Sequence, residues 1–175
     1  LRNVFNEKVV HQLGSNIASV YPKFDKKGFC NSIISQLAPL SFGDRSNLIR
    51  DTLREYLPKE YPQAVQILVL SLGPEIPHCE LTGFDNFVVM SENDFIAKYG
   101  LDHFDISMQA LYEMTKRFTA EGAIRAFIEK YPEQTLKLLE HWAEDKNCHV
   151  RRLVSEGTRP RLPLGPRLKQ FVHDP

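Results

Sequence analysis

Between His149 and Pro163 the chain reads His-Val-Arg-Arg-Leu-Val-Ser-Glu-Gly-Thr-Arg-Pro-Arg-Leu-Pro, which sets four arginines around a single carboxylate. Wound as a helix at about 100° per residue, Val150, Leu153, Val154 and Gly157 share one side. Arg151, Arg152, Ser155 and Glu156 take the other, Arg159 joins them if the last turn stays helical, and Arg161 follows on a proline-bounded loop. Guanidinium forks match phosphate oxygens in pairs, so this face suits a polyanion. It also has a plainer reading, a solvated helix surface with an Arg152 to Glu156 pair at i,i+4. A second acid, Glu121, lies in Arg-Phe-Thr-Ala-Glu-Gly-Ala-Ile-Arg (117–125), close to the start of a helix after Thr119. There a carboxylate either serves chemistry or complements the helix dipole.

Charge balance leaves the choice to distribution. Lys+Arg and Asp+Glu both number 22 over 175 residues, but residues 147–175 hold six basic against two acidic side chains, a net of +4. The C-terminal sixth is therefore the candidate anion-binding region. Cys30, Cys79 and Cys148 are far apart and form no Cys-x-x-Cys pair, so neither a disulfide framework nor a zinc site is indicated; buried or spare thiols are expected. The N-terminus carries no apolar signal stretch, and the longest apolar run, 64–72, is too short to span a bilayer. No membrane association and a cytoplasmic location are expected, in a chain that is 42% hydrophobic and 25% charged.

The elements that must position these residues are helices. Apolar residues recur at three- and four-residue spacing along Val9, Leu13, Ile17 and Val20; Leu48, Leu53 and Leu57; Val65, Leu68, Val69 and Leu72; Ile106, Ala110 and Met114; and Leu136, Leu139 and Ala143. Tyr-Pro recurs at 21–22, 61–62 and 131–132, and Pro62 and Pro132 each precede a helical pattern. Together with the turn at Asp145 leading into Val150-Arg151, this predicts an all-α fold, a HEAT-like helical repeat solenoid forming one domain over 1–175. An irregular helical bundle is the alternative. Gly73, Pro74, Pro77 and Gly83 interrupt the pattern and predict an inter-repeat loop over 73–91 with no recognisable chemistry of its own.

The 149–163 stretch resembles the signature of the AlkC-type 3-methyladenine DNA glycosylases, a HEAT-like repeat DNA alkylation repair family. Supporting matches are Tyr-Pro-Lys-Phe-Asp (21–25), Tyr-Gly-Leu-Asp (99–102), Phe-Thr-Ala-Glu (118–121) and Trp142-Ala143. The similarity runs over the whole chain and is expected to cover the N-terminal part of the family's usual length. It implies hydrolysis of the N-glycosidic bond of cationic methylated bases such as 3-methyladenine or 3-methylcytosine, in double-stranded DNA, by a monomer without metal or cofactor. By the same resemblance Glu121 and Glu156 match active-site acids, and Arg152 and Arg159 face DNA, with Arg151, Arg161 and Arg125 as further DNA-binding candidates. The family is expected to act without flipping the base into a pocket, and the sequence shows no deep aromatic pocket motif. Two positions depart from the pattern: Gly122-Ala123-Ile124-Arg125-Ala126-Phe127 replaces Phe-Ala-x-Arg-Pro-Phe, and Leu164 stands where the family has Trp. A catalytically inactive DNA- or protein-binding module of the same fold is the alternative function.

Overall fold

A computed structural model describes residues 2–77, 86–163 and 165–173. Residues 78–85 of the expected loop, with Cys79, and also Leu164 lie outside the described residues. A short 3-10 turn (Arg2–Val4) precedes α1 (Glu7–Val20), α2 (Lys26–Ile34), α3 (Phe42–Tyr56), α4 (Tyr61–Ser71) and α5 (Val88–Tyr99). Then follow α6 (Phe104–Thr115), α7 (Glu121–Lys130), α8 (Pro132–Ala143), α9 (Cys148–Gly157) and the short α10 (Gln170–His173). No strand occurs among the described residues.

Local chemistry sets the helix starts. Asn6, Asp25, Ser41 and Asn147 accept hydrogen bonds from first-turn backbone N–H groups of α1, α2, α3 and α9, satisfying donors that a helix cannot pair internally. Pro62 and Pro132 sit in the first turns of α4 and α8, where a missing N–H costs nothing. Helix α5 opens at Val88, so its first turn occupies the end of the stretch expected to be loop.

The helices stack as a two-row solenoid. One row runs α3, α5, α7, α9 and the other α1, α4, α6, while α8 packs on α7 and α9 and α2 on α1 and α3. The expected stripes supply most of this core: Leu13, Ile17, Leu53, Leu68, Met114 and Leu139 are all buried. Three stripe members are instead exposed, Val20, Ile106 and Ala143. Each sits in the first or last turn of its helix. Within each row, neighbouring helices are joined by polar ties as well as packing. The Tyr61 hydroxyl of α4 meets Ser107 Oγ of α6 at 2.7 Å, and Ser46 of α3 reaches both Ser91 Oγ and Asp94 Oδ2 of α5 at 3.0 and 2.8 Å. The visible part of the inter-repeat loop is pinned, with Ile76 N donating to Lys116 O at 2.9 Å and Arg117 Nε to Gly73 O at 3.0 Å. Cys30 is a free, buried thiol, as expected. Cys148 departs from the expectation and is disulfide-bonded.

Candidate nucleic-acid interface

Helix α9 places its apolar side as the wheel requires, with Val150, Leu153 and Gly157 buried and Arg151 and Ser155 exposed. The helix ends at Gly157, so Arg159 lies just beyond it, exposed, in a segment tied back by the Arg159 N to Glu156 O bond of 3.3 Å. Arg152 Nε lies 3.2 Å from Glu156 Oε1, which realises the i,i+4 pair. A half-exposed pair of this kind contributes about 0–1 kcal/mol, so it orients the two groups more than it stabilises the fold. Arg151 is exposed and donates to the carbonyls of Asp145 and Lys146 at 2.6 and 3.1 Å, bracing the turn before its own helix. Arg161 is exposed on the segment beyond.

Arg125 does not belong with them. It is 0% exposed, and its guanidinium donates to four backbone carbonyls: Nε to Pro166 at 2.7 Å, Nη1 to Gly157 at 2.9 Å and Arg159 at 2.7 Å, and Nη2 to Pro160 at 3.3 Å. A side chain enclosed and saturated in this way cannot reach a phosphate. From α7, Arg125 instead clamps the 157–166 segment on which Arg159 and Arg161 are displayed.

The two expected acids come together. Glu121 is the first residue of α7, and α9 approaches it through Gly157, where an added Cβ would lie 2.7 Å from Ile124 Cγ2 and 3.9 Å from Glu121 Cα. Only a residue without a side chain allows this approach, and it puts Glu156 beside Glu121. Burial pushes the Glu121 carboxyl above its ordinary range; its own backbone N–H, Arg152 and Arg159 oppose the rise and the Glu156 charge adds to it. Glu121 Oε2 is buried and has no hydrogen-bond partner. That oxygen is closed off from solvent, while the carboxyl keeps the hydrogen bond of its own backbone N–H.

Sequence reading missed what stands beside Glu121. A cleft of about 320 Å³ opens there, walled by Phe42, Phe87 and Phe118 and reached by Asn93 and Asp94 of α5. Phe87 meets Phe118 with ring centroids 4.7 Å apart and Phe42 edge-on at 6.2 Å. These three rings come from positions 42, 87 and 118, so no local motif announces the cleft. The nearest signal is Ser91-Glu92-Asn93-Asp94, four consecutive polar residues in α5, of which the first three are buried. Burial raises the Asp94 carboxyl too, against the Ser46 hydrogen bond and the Arg50 charge. Among the described residues no group of three or more His, Cys, Asp or Glu is placed to hold a metal ion, and no helix is long and apolar enough to cross a membrane.

No family model matches the chain. It is 35% identical over 176 residues to the uncharacterized protein YhaZ of Bacillus subtilis (strain 168), covering 100% of this chain and 47% of that protein. Among solved structures it is similar to the Pseudomonas fluorescens alkylpurine DNA glycosylase AlkC, bound there to DNA containing an abasic site analog. That likeness has a TM-score of 0.86 and 36% identity, and it covers 99% of this chain and 46% of AlkC. The chain thus spans about half the length of the proteins it matches. Over that span the resemblance to the AlkC-type alkylpurine DNA glycosylases holds along the entire chain, in sequence and in fold.

Proposed function

We propose that this chain is the part of an alkylation-repair DNA glycosylase that meets the lesion, hydrolysing the N-glycosidic bond of cationic methylated bases such as 3-methyladenine and 3-methylcytosine in duplex DNA. The observation that carries the reading is the meeting of two acids with an arginine face: Glu121, buried and unsatisfied at the start of α7, beside Glu156, which is paired with Arg152 on α9. A cationic base is already a good leaving group, so catalysis needs chiefly fixed negative charge beside the positive charge that develops on the sugar, and a positioned water. Glu121 and Glu156 are assigned that role. Arg151, Arg152, Arg159 and Arg161 grip phosphates, which requires no base reading.

The test is release of methylated bases from alkylated duplex DNA, run beside binding to undamaged duplex. Glu121→Gln and Glu156→Gln keep the shape and delete the charge, so base release should slow at least tenfold while DNA binding stays equal or tightens. Equal rates in an active protein would return both acids to a helix-dipole partner and a surface pair. Binding without any release would favour the alternative, a HEAT-like module that recognises DNA or protein without chemistry.

A further inference from the structure

Glu121 opens α7 without help from its own helix. Ala120 stands at the N-cap with a methyl group that accepts nothing, and no side chain caps the helix. The Glu121 carboxyl takes the hydrogen bond of its own backbone N–H instead, so the carboxyl follows wherever the backbone of 119–121 goes. That backbone is held from α5. Asn93 Nδ2 donates to Thr119 O at 3.1 Å, while Asn86, just before the helix, donates through Nδ2 to Arg117 O at 3.1 Å. Asparagines thus pin two carbonyls of the connection between α6 and α7, and Asn93 holds the one nearer to Glu121. Asn93 is a costly way to fill its place. It is 3% exposed, and turning its amide toward Thr119 leaves Oδ1 buried with no partner, which a leucine of similar size would avoid. What a leucine cannot do is donate to Thr119 O.

We infer that Asn93 is a positioning residue for Glu121: its hydrogen bond to Thr119 O fixes the turn that opens α7 and so holds the Glu121 carboxylate in place beside Glu156. The inference rests on the assignment of Glu121 as a catalytic acid under the glycosylase reading. Asn93 acts through the backbone and touches no reacting atom. Its contribution is to keep a fixed charge from relaxing, because a carboxylate that swings out to water is screened and stabilises a developing positive charge less. The burial that pushes the Glu121 carboxyl above its ordinary range is what the tie preserves. The charged groups acting on Glu121 are Glu156, Arg152 and Arg159, with Asp94 of α5 lining the same cleft, and a substitution at 93 replaces none of them.

Asn93→Leu keeps the bulk and removes the donor; Asn93→Ala is the second variant, should leucine disturb the packing. In the full chain without DNA, the Glu121 carboxyl is titrated by carboxyl-carbon NMR. Its midpoint in the parent lies above the ordinary glutamate range, and in Asn93→Leu it should fall back toward that range as the freed carboxyl reaches water. On alkylated duplex, single-turnover base release should slow at least about fivefold while affinity for undamaged duplex is unchanged, since no arginine of the α9 face is altered. Added to Glu121→Gln, Asn93→Leu should slow release by less than about twofold more, because no carboxylate is left to place. A residue that only holds the fold together would slow both backgrounds alike. Equal slowing on both backgrounds, a Glu121 midpoint that stays or rises in the folded variants, or release as fast as the parent's would each overturn the inference. The two readings fail separately. A chain that releases bases equally fast with Asn93→Leu loses this inference and keeps the glycosylase; one that releases none loses the glycosylase, and the titration alone then decides whether Asn93 holds the carboxyl.

Discussion

Replacing Arg125 with methionine tests whether the buried guanidinium is a clamp or a DNA contact. The side chain is fully enclosed and donates four hydrogen bonds to the carbonyls of Gly157, Arg159, Pro160 and Pro166. Methionine fills a similar length and removes the desolvation penalty of a buried charge, several kcal/mol in its favour. Against that stand four carbonyls that lose their donors, at about 1–3 kcal/mol each if they stay buried. They need not all stay buried, because 157–166 runs along the surface and can turn some of them to water. The net expectation is a loss of about 2–4 kcal/mol by urea denaturation, with proteolysis newly admitted between 158 and 167. Arg125→Lys should fall between, since an ammonium cannot span the four acceptors as a planar fork does. Duplex binding should weaken too, because Arg159 and Arg161 are no longer held in place. A variant within about 0.5 kcal/mol of the parent, with unchanged protease resistance but a shallower dependence of binding on salt, would refute the clamp and restore Arg125 as a phosphate contact.

Three further outcomes follow from the same geometry. Burial pushes the Glu92 carboxyl to about 8, so the folded state keeps a proton that the unfolded chain gives up near its ordinary pKa. Stability from this group is full below that pKa and falls as pH rises toward 8; Glu92→Gln should abolish this fall, worth at most about 3–4 kcal/mol at pH 7, as denaturation at pH 5 and pH 8 would show. Gly157→Ala drives a Cβ against Ile124 and should cost about 1–3 kcal/mol, less what alanine gains in a helix, while slowing base release by separating Glu156 from Glu121; an unperturbed melting temperature would contradict the close approach. Charge reversal of Arg152 and Arg159 together should weaken duplex binding whatever its sequence and flatten its salt dependence, and an unchanged slope in the folded double variant would remove DNA from the proposal.

Much of the fold was legible because helices repeat locally. Leu13, Ile17, Leu53, Leu68 and Leu139 fell where a three- and four-residue rhythm put them, and Pro62 and Pro132 marked helix starts. The outer face of α9 was legible for the same reason. Arg125 was not. Its neighbours Ile124 and Phe127 are buried like itself, and nothing in a one-dimensional pattern says that four carbonyls from 157–166 fold back over it. An arginine four residues after Glu121 on one helix reads as another phosphate contact until its acceptors are seen. The cleft escaped for a related reason, since its walls come from three separate segments and its acceptors from a polar run inside α5.

That polar run explains more than the cleft. Ser91, Glu92 and Asn93 put three polar side chains inside the row of helices, where apolar residues of the same size would pack at less cost. Ser91 is repaid by Ser46, and Asn93 in part by Thr119 O, but Asn93 Oδ1 is not. The unpaired atoms do not lie at random. Asn93 and Glu121 line one cleft, to which the segment clamped by Arg125 adds Leu162 and Pro163. Packing alone gives no reason for a fold to hold unsatisfied acceptors rigid from three directions. The hydrogen bond from Asn93 Nδ2 to Thr119 O does give one, because it fixes the turn that opens α7 and with it the place of Glu121.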